Sequence, residues 1–277
     1  MSKPVEVEEM VDRFIHRPIA AQLIPLLVRT PITPNQVTLL SGIIGVLGSV
    51  ALARGAANPN ARLLCAGLVF IAVVLDCCDG QLARAKGISS TTGAIVDGLA
   101  DYVVGISLGV GAAHLLVQYY HSDWYWLLGL TGLASIALQS ALFDHAKTHY
   151  VARVGGGYVE REEDIARIAR DREAARANGR WVDVFLLWLL QRYSLAQAAA
   201  MQIRPARDPE AYRTANRTRM QAWGFLGSGT HFALGYLCAG IGYFWMPALI
   251  LFFALHLTLG NLYLLLLLAT GPRQGAE

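Results

Sequence analysis

The chain has 277 residues, of which 55% are hydrophobic and only 16% charged, with a formal net charge of +3. A soluble domain carries about 25% charged residues, and the deficit here falls in long apolar runs, which is a membrane pattern. The small net charge gives nucleic acid no footing. Cys65, Cys77, Cys78 and Cys238 lie in or beside apolar runs without disulfide or metal spacing, as small apolar filler does.

In chain order, residues 1–35 mix charges with prolines, which is not the layout of a cleavable signal peptide. Within them Met10, Phe14, Ile15, Ile19, Leu23, Leu26 and Leu27 are interleaved with charges over 8–29 and interrupted by Pro18 and Pro25. That pattern predicts an amphipathic helix lying on the cytoplasmic membrane surface. Thr33 followed by Pro34 predicts a helix start. Six apolar runs follow, at 36–54, 62–79, 93–117, 125–144, 221–243 and 247–270. Each approaches the ~20 residues that cross a hydrocarbon core as a helix. The Glu-, Asp-, Arg- and Ala-rich stretch 160–180 predicts a water-exposed helix ending near Asn178 and Gly179. Residues 181–200 are apolar but carry Asp183, Gln191, Arg192, Ser194 and Gln197. We read them as a helix in the interface or against the bundle, not as a seventh span. The expected architecture is an all-α integral membrane protein with six transmembrane helices plus the N-terminal interfacial amphipathic helix. It forms a single membrane domain over 1–277, with 1–35 cytoplasmic or interfacial and 145–220 a cytoplasmic insertion between spans four and five.

Lysine and arginine set the orientation. Lys3, Arg13, Arg17 and Arg29 precede the first run, Arg84 and Lys86 separate the second and third, and Arg273 follows the last. Between the fourth and fifth runs basic residues recur from Lys147 and Arg153 through Arg204 to Arg219. Only Arg54 and Arg62 stand in the other loops. The positive-inside rule therefore predicts a multi-pass protein of the cell's inner membrane with both termini cytoplasmic.

The chemistry concentrates between Asp76 and Asp101. The chain reads Asp76-Cys-Cys-Asp79-Gly80-Gln-Leu-Ala83-Arg84, then eight residues, then Gly93-Ala-Ile-Val-Asp97-Gly-Leu-Ala-Asp101. On a helix Asp76 and Asp79 share a face, as do Gly93, Asp97 and Asp101. Ionised groups at such depth are costly and mark function. If the two runs form a hairpin, four carboxylates converge at the cytoplasmic boundary and repel one another. Hard divalent cations (magnesium, manganese or calcium, not zinc) resolve that repulsion. A pair of them about 4 Å apart is the arrangement that clamps a phosphoryl displacement. Gly80 and Gly93 permit close approach, Ala83 is small, and Arg84 offers a planar fork for phosphate. A structural network of Asp with Arg or Lys is the plainer alternative for a lone intramembrane aspartate. Four at these spacings, with Gly and Arg interleaved, argue against it.

Other polar groups are less specific. Asp144, His145, Lys147, His149, Tyr150 and Arg153 gather at the end of the fourth run, where Lys147 and Arg153 are candidates to bind a polar acceptor. His114, His231 and His256 lack partner patterns and are read as packing residues. Arg204, Arg207, Arg213, Arg217 and Arg219 suit anionic lipid headgroups.

The segment Asp76–Asp101 is similar to the signature of the CDP-alcohol phosphotransferase family, D-x2-D-G-x2-A-R-x8-G-x3-D-x3-D, without a substitution. The six-run layout resembles the family as well. The resemblance implies a homodimeric membrane enzyme using two divalent cations, Mg or Mn, to move a substituted phosphate from a CDP-linked donor to a lipid or polar alcohol. It implies that Asp76, Asp79 and Asp97 ligate metal with Asp101 nearby, and that Asp101 is the catalytic base. Gly80, Ala83, Arg84 and Gly93 would line the CDP site. Asn35 and Thr38 would adjoin it, because Pro34-Asn35-Gln36-Val37-Thr38 is similar to a Pro-Asn-x-x-Thr common in the family. Tyr102 stands where the family's phosphatidylinositol-phosphate synthases often carry Arg, which weakens that assignment. The competing readings are a membrane prenyltransferase, which usually has more spans and two Asp-rich motifs, and a divalent-cation transporter, which wants midplane carboxylates in broken helices.

Overall fold

The computed structural model describes residues 4–88, 91–155, 157–200 and 206–272, and among these there is no strand. A 3-10 turn at Val5–Val7 and a π-helical turn at Asp12–His16 lead into α1 (Arg17–Val28). Then come α2 (Pro34–Ala53), α3 (Asn60–Lys86), α4 (Thr91–Tyr120) and α5 (Trp124–Gly155). α6 (Gly157–Ala177), α7 (Trp181–Ala200) and α8 (Pro209–Trp223) follow. The chain ends in α9 (Ser228–Ile241), α10 (Pro247–Leu255), a π-helical turn at His256–Gly260 and α11 (Asn261–Ala269). Lys3, Arg204 and Arg273, used above for orientation, lie outside the described residues.

Local chemistry accounts for the boundaries. α2 begins with a reciprocal cap: the Thr33 hydroxyl accepts from Gln36 N at 3.4 Å, and Gln36 Oε1 accepts from Thr33 N at 2.9 Å. α3 stops at Gly87, whose φ of +65° needs no Cβ. Gly179, at φ +68°, ends the stretch after α6 where the sequence places that stop.

Five helical stretches among the described residues are long and apolar enough to cross a membrane: Pro34–Ala53, Asn60–Lys86, Ile95–Tyr120, Trp124–Gly155 and Pro247–Ala269. The run expected at 221–243 is not one such helix. α8 carries it only to Trp223, a 3-10 turn covers Gly224–Leu226, and Gly227 is extended. α9 then has 14 residues, a rise of about 21 Å against a core of about 30 Å. The break has a partner from far away in sequence. Glu9 accepts from Gly229 N at 2.7 Å and Thr230 N at 3.3 Å, using amides that every helix start leaves free.

The core lies where α3, α4, α9 and α10 meet, around Val69, Leu108, Phe232, Tyr236 and Phe253. α2 packs on both α3 and α4 through small residues. A Cβ on Gly45 would lie 2.6 Å from Val104, and one on Gly111 would lie 2.6 Å from the Ser49 carbonyl. Arg62, an exception to the charge rule, is buried, donating to the Gly55 carbonyl at 2.9 Å and the Gly242 carbonyl at 2.8 Å. His231 and His256 are also buried, but they partner each other, Nδ1 to Nε2 at 3.0 Å.

α1 sets Ala20, Ile24 and Leu27 against Val74, Cys78 and Leu82 of α3. Its other side exposes Ile19, Leu23 and Leu26. α7 packs on α6 and the start of α4 through Leu187, Ala175, Ile168 and Ile95, while Trp181, Val182 and Phe185 stay exposed. The four cysteines are free thiols.

Candidate active site

The hairpin of α3 and α4 brings together the carboxylates that the sequence places on two helix faces. Oxygens of Asp76, Asp79 and Asp97 all lie within 4.8 Å of one another. Asp79 is buried, and its Oδ2 accepts from the Thr38 hydroxyl of α2. None of Asp76, Asp79, Asp97 and Asp101 forms an ion pair among the described residues. Three convergent carboxylates without a protein cation fit a hard divalent ion, which takes oxygen ligands and supplies the missing positive charge.

Asp101, one turn beyond Asp97, stands outside that triad. It lines a cavity of about 210 Å³ together with Ser140 and Asp144 of α5 and Ser228 of α9. Tyr102 and His231 also line it, and most of the remaining wall is apolar, from Ile106, Leu133, Phe232 and Phe252.

The residues expected around the nucleotide are placed as follows. Arg84 is exposed beside Gly80, where a Cβ would meet only its Nη1, at 3.5 Å. Arg84 also lines a groove with Arg17, Gln81 and Pro25. Ala83 and Gly93 are half-buried, and Asn35 is exposed at the first turn of α2. Thr38 is buried and turned to Asp79.

Lys147 and Arg153 do not come together. The Lys147 ammonium lies over the Phe143 ring at 5.3 Å and is an electrostatic neighbour of Glu9. Arg153 lies over the Tyr212 ring at 5.6 Å.

Sequence reasoning missed the N-terminal acids. Asp12 holds His16 at 2.7 Å, and His16 reaches the Tyr236 hydroxyl at 3.3 Å. Asp12 is also among the charges acting on Asp101. Burial and, after it, Asp12 push the Glu9 carboxyl up to about 8, against Lys147 and the two amides. Glu6 accepts from the Tyr150 hydroxyl at 2.8 Å and from Arg213 Nε at 2.6 Å. Burial raises its carboxyl, but these partners outweigh it and hold the group at about 2. The available signal was the four-residue spacing of Asp12 and His16, which an exposed helix shows equally well.

The CDP-alcohol phosphatidyltransferase family model matches residues 31–202, which contain the whole aspartate hairpin. The chain belongs to this family. Two curated relatives carry the name bifunctional IPC transferase and DIPP synthase. One, from Rubrobacter xylanophilus, is 37% identical over 138 residues, covering 43% of this chain and 30% of the relative. The other, from Thermococcus kodakarensis, is 30% identical over 137 residues, covering 48% of this chain and 29% of the relative. The alignments thus span less than a third of either relative's length. α8 to α11 lie outside the stretch that the family model matches.

Proposed function

We propose that this chain transfers a substituted phosphate group from a CDP-linked donor to an alcohol, releasing CMP, in phospholipid synthesis at the cytoplasmic face of the inner membrane. The observation that carries the reading is the meeting of Asp76, Asp79 and Asp97 oxygens within 4.8 Å inside the family-matched stretch.

In this reading Asp76, Asp79 and Asp97 hold divalent cations, magnesium or manganese, with Asp101 near them. Cations held by these carboxylates would supply positive charge to the diphosphate and to the leaving phosphate. Arg84 grips the diphosphate from the exposed side, and Gly80 leaves room for it. The acceptor hydroxyl gives its proton to the Asp101 carboxylate. Its oxygen bonds to the phosphorus distal to cytidine, the bond from that phosphorus to the bridging oxygen breaks, and CMP leaves. Positioning and fixed charge do most of the catalytic work.

The apolar walls beside Asp101 support a substrate with an acyl chain, whether CDP-diacylglycerol as donor or a lipid alcohol as acceptor. The names of the two relatives, a transferase and a synthase, support the general reaction. Both termini would face the cytoplasm, with α9 completing the crossing and α1 lying in the interface, and two copies would form the working dimer.

The test measures CMP release by purified protein across a panel of both donor types, with Asp97→Asn and Asp101→Asn beside the wild type. Both variants should insert and lose CMP release. Near-normal turnover by either one, with metal in excess, refutes the assignment.

A further inference from the structure

Ser140 and Asp144 give one side of α5 to the cavity beside Asp101. The same helix gives another side, with His145 and His149, to a second cavity of about 260 Å³. That cavity lies between α5, α8 and the end of α11, and no residue lines both.

Its chemistry is that of an anion receptor. Arg219 and Trp223 line it, and Arg219 Nε and Trp223 Nε1 are buried donors without an acceptor. Arg219 is held in place by its Nη2, which donates to the Leu267 carbonyl at 2.9 Å, and by the Trp223 ring at 5.8 Å. Tyr212 also lines the cavity, and Arg153 lies over its ring with its own Nε buried and unpartnered. Arg153, His145 and Arg219 are all electrostatic neighbours of His149. Neither Arg153 nor Arg219 forms an ion pair among the described residues.

Buried N–H groups are rarely left unpaired, because each has lost its water without regaining a bond. Here two of them, on Arg219 and Trp223, belong to residues that line one cavity, and a third, on Arg153, lies over the Tyr212 ring in its wall. An acceptor with several anionic oxygens pointing different ways satisfies such a set, and a phosphate group has that shape.

We propose that the cavity between α5, α8 and α11 is a phosphate-binding site separate from the aspartate site. Its ligand is a phosphate-bearing group, either a free phosphate or the headgroup of an anionic lipid. The cavity includes Leu268, which is exposed next to the exposed Leu265 and Leu266, so a headgroup can enter from the bundle surface.

The test uses the full chain, purified in a neutral detergent without added metal. Equilibrium dialysis reads binding of radiolabelled inorganic phosphate, and native mass spectrometry reads retention of added phosphatidylglycerol against phosphatidylcholine. Arg219→Gln and Trp223→Phe are compared with the wild type, the second keeping an aromatic side chain while removing the indole N–H. Asp97→Asn serves as the background in which the aspartate site is disabled. We expect one of the two probes to bind at about one per chain, to bind equally well to Asp97→Asn, and to weaken at least about tenfold in each cavity variant. Phosphate binding names a solute as the ligand, and selective phosphatidylglycerol retention names a lipid. If neither probe binds, or if binding survives both cavity variants or is lost in Asp97→Asn, the proposal is wrong.

Discussion

The Thr38 hydroxyl on α2 donates to the Asp79 carboxylate on α3, so a third helix fixes one member of the aspartate cluster. Partners behind a metal ligand orient it, and losing one typically costs about 10- to 100-fold in metal affinity or activity. Thr38→Val should raise the magnesium or manganese concentration for half-maximal activity by about tenfold or more. Thr38→Ser should restore most of it. A variant with a raised KM for the CDP donor and an unchanged metal requirement would show that Thr38 serves the nucleotide instead.

Arg84 is exposed beside Gly80, and the proposed function gives it the donor diphosphate. Arg84→Gln should raise the donor KM by about tenfold, the effect of one charge-assisted hydrogen bond. The KM for the acceptor should stay within about twofold. Steady-state kinetics with each substrate varied in turn separates the two, and an equal loss on both sides would deny Arg84 this role.

Glu9 gives a pH dependence whose sign is fixed. Its carboxyl is pushed from the ordinary 4.5 to about 8, first by burial and then by Asp12. The folded protein therefore holds this proton more tightly than the unfolded chain does. The stabilisation is complete below pH 4.5 and is lost as pH rises through about 8. Glu9→Gln can still accept from Gly229 N and Thr230 N but never ionises. It should melt with the wild type below about pH 4.5 and at a higher temperature above about pH 8, as read by thermal unfolding in detergent. A lower melting temperature above about pH 8 would mean that the charged carboxylate stabilises the start of α9.

Arg62 is a structural prediction far from the aspartates in the fold. It is buried and satisfies the carbonyls of Gly55 and Gly242. Arg62→Leu should destabilise the protein by about 3 kcal/mol, because both carbonyls lose their donor in a buried place. The remaining folded fraction should keep its KM values. Chemical denaturation in mixed micelles measures the loss, and a change below about 0.5 kcal/mol would show that water replaces the side chain.

The sequence carried the parts of this site that depend on neighbours along the chain. Helix periodicity puts Asp76 with Asp79 and Asp97 with Asp101, and the cap at Thr33 and the stop near Gly179 stand where local rules place them. Long apolar runs likewise become the five long apolar helices, because backbone groups in lipid must be satisfied within each segment.

What packing decides is which residues from distant segments share a place. Thr38 and Asp79 are 41 positions apart, and Glu9 reaches the start of α9 across 220 positions. That long contact accompanies the break in the run expected at 221–243. Asp12 and Glu9 turn inward, although an amphipathic pattern alone would leave them in water. Lys147 and Arg153, neighbours in the sequence, part toward different surroundings because each follows its own side of α5.

The chain's own periodicity thus determined which carboxylates sit on a common helix face, since that depends only on dihedral geometry repeated along one segment. Only the tertiary structure decided that the faces of α3 and α4 meet, that α2 braces one of them, and that α5 divides two cavities. Those relations come from how whole helices pack side by side, and no local spacing records them.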